Sequence, residues 1–533
     1  MYPVHMNLMR LGLLVPLALL SCTRAPDPRI IGLPEEMVEA HRLTGSTTVP
    51  TTASLVSYGG DVRLRITIDT SGKVTDVQID KSGLNFGDPA PALAVARQWK
   101  FRPFTYRGRP VGVTTSIDVN YLAKPVWADP KAAFPVIDYA ALRIELIRSG
   151  CGGFCPAYKV SIAGDGMVTY STVASPRIAG LRDFVELGGV TVPGTHRSRI
   201  DRAALDGLIG KFRAARFFGL KKEYDGQLSD SAAYTLAFSS GGRFWQVTDY
   251  VGQMVGMPEV VTALEDEVDR VAGTVRWVQG DETSLPALRA EGFDPRSPAA
   301  ADFARVAIER RGDAFVLDLL AAGLPLDRPA PRRVDDQARP LGLVLLEAAL
   351  RGGRPRVARA LINRGWLGKM PPADRARLFA ESAGGCDPVV ARAFVAAGVD
   401  PNARATDGGT ALHAARALYP ACGGLHDRVP LVGALLDLGV DPNLGNAEGQ
   451  TPIFDIQEPA VLDLLLARGA RVRVQDKRGV SPVFACWPDI IVRMLLDAGA
   501  EPRGRYNGKT LATIAREQHM PATSAWLAAH GID

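Results

Sequence analysis

The sequence predicts a multidomain chain: two small α+β domains followed by an all-α repeat solenoid. Three observations carry this reading. Val62, Leu64, Ile66 and Ile68 alternate with polar residues, the period-two pattern of a strand with one buried face. A second alternating block, Tyr158, Val160 and Ile162, precedes helical spacing at Leu205, Leu208, Ile209 and Phe212. Beyond residue 285 an element of the form Leu-Leu-x-x-Gly recurs in strong and weaker copies. Its glycines at 323, 365, 398, 439, 469, 499 and 531 lie 30 to 42 residues apart.

The chain has 533 residues, enough for three or four domains at roughly 100–200 residues each. Apolar residues make up 47% and charged residues 22%, which excludes a mainly disordered, collagenous or polytopic membrane chain. A net charge of +5 over this length is too small to argue for nucleic acid as a partner. Six cysteines are too few for a small disulfide scaffold.

The N-terminus places Arg10 before an apolar run from Leu11 to Leu20. Such a run is too short for a bilayer, which needs about 20 residues, but it fits the apolar region of a secretory signal. It ends in Leu19-Leu20-Ser21-Cys22, which resembles a bacterial lipoprotein signal, with Leu20 where a smaller residue is commoner. The resemblance implies removal of residues 1–21, lipidation of Cys22 and a periplasmic protein anchored to a membrane. Thr23, where aspartate would signal inner-membrane retention, points to the outer membrane. Residues 22–55 contain Pro26, Pro28, Pro34 and Pro50 and show no apolar periodicity, so they are expected to form a flexible tether.

Residues 56–122 alternate as strands around a Thr70-Ser71-Gly72 turn and a short helix near Pro91 to Gln98. Gly60-Asp61-Val62, Asp69-Thr70-Ser71-Gly72-Lys73-Val74, Trp99-Lys100-Phe101-Arg102-Pro103 and Gly108-Arg109-Pro110-Val111 together resemble the C-terminal domain of TonB-type proteins. The resemblance implies a small α+β fold with an edge strand able to pair with a partner peptide. The membrane helix and long proline-rich spacer of a true TonB protein are not found, so energy transduction is not expected. Arg97, Lys100, Arg102, Arg107 and Arg109 interleave with Trp99, Phe101, Phe104 and Tyr106. We read this as alternate strand faces rather than as a single-stranded nucleic-acid platform.

Residues 140–281 read as a second α+β domain. Its Gly150-Cys151-Gly152-Gly153-Phe154-Cys155-Pro156-Ala157-Tyr158 run resembles an uncharacterised bacterial domain of exported proteins, which supplies a boundary but no activity. In an oxidising periplasm Cys151 and Cys155 default to a structural disulfide. A redox pair or half of a metal site stays open as an alternative.

In residues 285–533 one copy reads Val399-Asp400-Pro401-Asn402 and then Asp407-Gly408-Gly409-Thr410-Ala411-Leu412-His413-Ala414-Ala415. The next has Asp441-Pro442-Asn443 and Gly449-Gln450-Thr451-Pro452. These motifs look like ankyrin repeats, which implies stacked helix pairs that bury their leucine faces only against neighbours. Family usage then points to the turn tips as protein-binding positions: Arg404, Thr406, Asn446, Gln475, Lys477, Arg505 and Tyr506. Cys386 and Cys422 follow comparable helices and could bridge. Gly508-Lys509-Thr510 imitates a phosphate loop, but Arg503 stands where a glycine is required.

The expected function is a non-catalytic envelope lipoprotein that binds an unidentified envelope protein or peptide, with no cofactor, no metal and no nucleic acid. Two alternatives are an enzyme or thiol-redox protein centred on residues 140–281, and an inhibitor of an envelope toxin.

Overall fold

The structure is a computed structural model and describes residues 29–51, 60–82, 89–151, 155–172, 189–226, 228, 230–330, 339–382, 387–416, 428–485 and 488–533. The signal, Cys22 and the expected Cys386–Cys422 bridge lie outside the described residues. The chain is multidomain, β-rich in its N-terminal part and helical in its C-terminal part.

The first sheet is built on β4 (Gly60–Ile68), β5 (Val74–Ser82) and the long β8 (Arg109–Ala123), ordered β8-β4-β5 and antiparallel. Val62, Leu64, Ile66 and Ile68 are fully buried, as the period-two spacing requires. They pack with Trp99, Phe101 and Ile117 beneath helix α2 (Ala90–Ala96). The aromatics of the Arg/Lys-rich stretch are buried and its cations exposed, which is the strand-face reading.

The tether expectation is corrected over residues 30–51. That segment forms β1 (Ile30–Gly32), α1 (Glu35–Glu39), β2 (Arg42–Thr44) and β3 (Thr48–Thr51). Both β1 and β3 pair in parallel with β8, and β2 pairs with β6 (Lys100–Phe101). Ile31, Val38 and Val49 enter the core, but strands of three or four residues are too short to display a period. Gly45, at φ 107°, lies against Trp99; a Cβ there would sit 2.0 Å from the indole Cδ1. Gly45→Val is therefore expected to destabilise the first domain by about 2 kcal/mol or more, through overpacking and a left-handed backbone. A denaturation midpoint equal to that of the wild type would refute the tight packing of this segment.

The second sheet has the order β12-β11-β10-β9-β14-β15-β13. Its strands are β9 (Arg143–Arg148), β10 (Tyr158–Ala163), β11 (Met167–Thr172), β12 (Thr195–Arg199), β13 (Glu223–Asp225), β14 (Ala233–Ser240) and β15 (Arg243–Tyr250). Helices α3 (Arg202–Ala214) and α4 (Val260–Ala272) supply Leu205, Leu208, Phe212, Val261, Leu264 and Val268 to its core. Asp201 caps α3 by accepting from the Ala204 N–H at 2.7 Å. The connection between the two sheets is itself packed: Trp127 and Phe134 lie against this core, Phe134 edge-on to Phe218 at 5.5 Å.

The C-terminal part packs helices in sequence. These are α5 (Pro298–Glu309), α6 (Asp313–Ala321), α7 (Leu341–Arg351), α8 (Pro355–Ile362), α9 (Pro372–Ser382) and α10 (Pro388–Ala396). They continue as α11 (Ala411–Arg416), α12 (Arg428–Asp437), α13 (Pro459–Ala467), α14 (Asp489–Asp497), α15 (Leu511–Glu517) and α16 (Pro521–Ala529). Neighbours α5–α6, α7–α8, α12–α13, α13–α14 and α15–α16 touch, as do the more distant α9–α11, α10–α12 and α14–α16. Two expected first helices are reduced: residues 452–455 form a turn, and Pro482–Phe484 form a single 3-10 turn.

Turn asparagines link successive units. Asn402 accepts from the Asp441 N–H at 2.8 Å and donates to the Gly439 carbonyl at 3.3 Å. Asn443 repeats the arrangement with the Arg471 N–H at 2.8 Å and the Gly469 carbonyl at 3.1 Å. The second sheet joins the helices through Thr191 and Val192, whose N–H groups donate to Val278 and Trp277 at 3.0 and 2.8 Å. At the far end α14 and α16 return to pack on β1. No helix among the described residues is long and apolar enough to cross a membrane.

Candidate binding site

The outer edge of β8 is occupied by the chain's own N-terminal segment. Ile30–Gly32 pair with Gly112–Thr114, and Thr48–Thr51 pair with Asn120–Ala123. Between them the Asp118 N–H donates to Glu35 Oε1 at 3.4 Å. Burial raises the Glu35 pKa, and the Asp118 N–H opposes the shift. The opposite edge strand, β5, pairs with β4 alone among the described residues, and Lys73 just before it bridges Lys100 of β6.

Asp489, at the start of α14 and 2% exposed, fastens the first sheet to the last helices. Its Oδ2 accepts from the Gly32 N–H and the Ala522 N–H, each at 2.9 Å, and its Oδ1 accepts from the Thr523 N–H at 2.8 Å. Desolvation raises the Asp489 pKa against these bonds. Arg107 adds an ion pair to the buried Asp497 at 3.3 Å.

Beside this fastening runs a polar cleft of about 440 Å³, floored by the solvent face of the first sheet and walled by residues 517–520. It continues into a shallower hollow of about 360 Å³ lined by Asp76, Gln78, Arg516 and Ser524. Arg63 bridges Asp118 at 2.7 Å and Glu35 at 3.8 Å. Asp80 accepts from both Arg65 and the Ser116 hydroxyl.

In the second domain Cys151 and Cys155 are disulfide-bonded, with Cα atoms 5.5 Å apart. Among the described residues no cluster of potential ligands could hold a metal ion. Closing so short a loop contributes about 2 kcal/mol in the chain-entropy model. Replacing both cysteines by serine should lower domain stability by no more than about that amount. A far larger loss in chemical denaturation would mean that the bridge holds more than its own loop.

Next to the bridge is a buried polar row. Register aligns Tyr158, Arg148, Tyr234 and Asp249 across β10, β9, β14 and β15. Asp269 of α4 accepts from Arg148 at 2.8 Å, from the Tyr158 hydroxyl at 2.8 Å and from Thr274 at 2.7 Å. Glu265, one turn earlier, is 0% exposed, and neither of its oxygens has a hydrogen-bond partner among the described residues. Burial, reinforced by Asp249, pushes its pKa up to about 8. Glu265 stands four residues after Val261 and three before Val268, on the inward stripe of the helix, where a carboxyl interrupts the apolar pattern.

The turn-tip residues divide in two. Arg404 donates to the Gly408 and Gly445 carbonyls, each at 2.7 Å, and Thr406 donates to Glu381 at 2.9 Å. Asn446 accepts from the Glu448 and Gln450 N–H groups at 3.1 and 2.9 Å, and Arg505 donates to the Gly508 carbonyl at 2.7 Å. The backbone of Tyr506 exchanges hydrogen bonds with Lys509. These groups hold the turns together. Gln475 and Lys477 are exposed side chains.

Residues 48–122 match the family model of the Gram-negative bacterial TonB protein C-terminal. The chain therefore carries a TonB C-terminal-like domain. Residues 142–272 match the model of a domain of unknown function, DUF6438. The chain is 32% identical over 72 residues to Protein TonB from each of two strains of Xanthomonas campestris pv. campestris. The match covers 14% of this chain and 32% of each relative, so the chain spans about a third of the length of the curated relatives it matches.

Proposed function

We propose that the protein is a non-catalytic, lipid-anchored protein of the cell envelope that binds a protein or peptide. The observation that carries this reading is the TonB-like sheet itself: one edge is covered from within the chain, and the other, beside a polar cleft, has no further strand among the described residues. In this reading Cys22 bears the lipid, the outer membrane is the anchoring surface and the folded part faces the periplasm. The helical part is an ankyrin-type array, supported by the recurring Asn402 and Asn443 bonds between units. Gln475 and Lys477 are its contact positions. Domain limits follow the sequence reading at 56–122, 140–281 and 285–533, with residues 30–51 added to the first.

Affinity capture from envelope extracts with the full chain is the direct test, alongside membrane fractionation of Cys22→Ser. The expected results are a retained envelope protein and a variant that moves to the soluble fraction. If no envelope protein is retained, the binding reading fails. If Cys22→Ser stays in the membrane fraction, the lipid anchor fails.

A further inference from the structure

Strand β5 pairs with β4 on one side and has no strand on its other side among the described residues, and its two faces differ in chemistry. Asp76 and Gln78 pair in register with Thr67 and Arg65 of β4, on the side that lines the cleft. Ile79 pairs with Leu64 on the core side, yet it remains 46% exposed at the margin of the sheet. Leu64 in the same row is fully buried, so among the described residues the exposure of Ile79 lies on its outer flank.

The charges of the cleft are unevenly spent. Arg65 and Asp80 satisfy each other, Arg63 is held by Asp118 and Glu35, and Glu517 is held by Lys509 at 2.6 Å. Asp76 accepts only the Gln78 amide, at 2.8 Å, and neither Asp76 nor Glu36 is in an ion pair among the described residues. Arg516, in the same hollow as Asp76, is the one lining cation in that state among the described residues. Over the cleft and the hollow together the unpaired groups are Asp76 and Glu36 against Arg516, an excess of negative charge that favours a ligand bringing positive charge.

A strand added to an edge places its side chains about 4.5–5.5 Å from those of the edge strand, where opposite charges and apolar pairs attract and like charges repel. A second copy of β5 would set Asp76 and Asp80 against another set of carboxylates, which disfavours self-pairing. We propose that β5 takes an extended peptide in which basic and apolar residues alternate. The basic side chains lie on the cleft side against Asp76, and the apolar ones cover Ile79. This proposal rests on the peptide-binding reading above and gives it a place and a ligand class.

The test titrates two labelled octapeptides, one alternating Lys and Val and one alternating Glu and Val, into the full chain. Binding is followed by anisotropy, with hydrogen exchange read on the same samples. The Lys/Val peptide should bind on the order of ten-fold tighter than the Glu/Val peptide and slow exchange across Val74–Ser82. Asp76→Lys should weaken it about ten-fold and Ile79→Asp should weaken it too, with circular dichroism showing both variants folded. Absence of Lys/Val binding, protection elsewhere than β5, or unchanged binding by folded Asp76→Lys overturns the proposal. An envelope partner retained equally by wild type and Asp76→Lys overturns the β5 site alone and leaves the binding reading standing.

Discussion

Asp489→Ala should separate the first sheet from the last helices. The substitution leaves the N–H groups of Gly32, Ala522 and Thr523 without their acceptor. A buried donor left unsatisfied costs about 1–3 kcal/mol, so the loss should reach roughly 3 kcal/mol even if one of the three regains water. It should be concentrated at the junction. Because β1 pairs with only three residues of β8, Gly32 anchors it from the side away from the sheet. Hydrogen exchange of Leu33 and Gly112 should accelerate in the variant, while the β4–β8 ladder stays protected. Equal exchange at β1 in the two proteins would show that the Asp489 contact does not hold this strand.

The second large effect concerns pH. The Glu265 carboxyl has an ordinary value near 4.5 and is pushed up to about 8 in the fold by burial and then by Asp249. A carboxyl whose folded pKa is raised binds its proton more tightly folded than unfolded, so its contribution falls as pH rises. The loss begins near pH 4.5, where the unfolded chain ionises, and is complete near pH 8, where the folded chain follows. At pH 7 the ionisation penalty is about 3 kcal/mol, at 1.36 kcal/mol per pH unit. Glu265→Gln cannot ionise and escapes it. The variant and the wild type should have similar denaturation midpoints at pH 4, and the variant should be the more stable by roughly 3 kcal/mol at pH 7 and by somewhat more near pH 8. A wild type that gains on the variant as pH rises would mean that the carboxylate is stabilising where it sits.

Most of the first sheet was legible because it is amphipathic. Alternation at Val62–Ile68 says which side chains are buried, and the Asp69–Val74 turn says where β4 ends. The helical part was legible through recurrence of its leucine and glycine positions. The segment 30–51 was not legible: its core residues Ile31, Val38 and Val49 come from separate short elements, and no window contains enough of them to show a period. The turn tips illustrate the same limit for function. Arg404 and Thr406 look free in the pattern, but Arg404 bonds the Gly445 carbonyl of the next turn and Thr406 bonds Glu381 of α9, while Asn446 is engaged within its own turn.

By itself, then, the sequence determined the local conformations and their burial: strand alternation, caps and turns, set by residues within a few positions of each other, and the repeat spacing, set by a motif that recurs every 30 to 42 residues. It also carried the TonB-like motifs that point to a peptide-binding sheet. Only the tertiary structure decided which edge of that sheet stays open. That choice depends on Gly32 meeting Asp489, 457 residues away, and on β1 and β3 returning to β8. Contacts across such separations leave no periodic trace, because what Asp489 and β8 engage in this segment is backbone, which carries no side-chain signature.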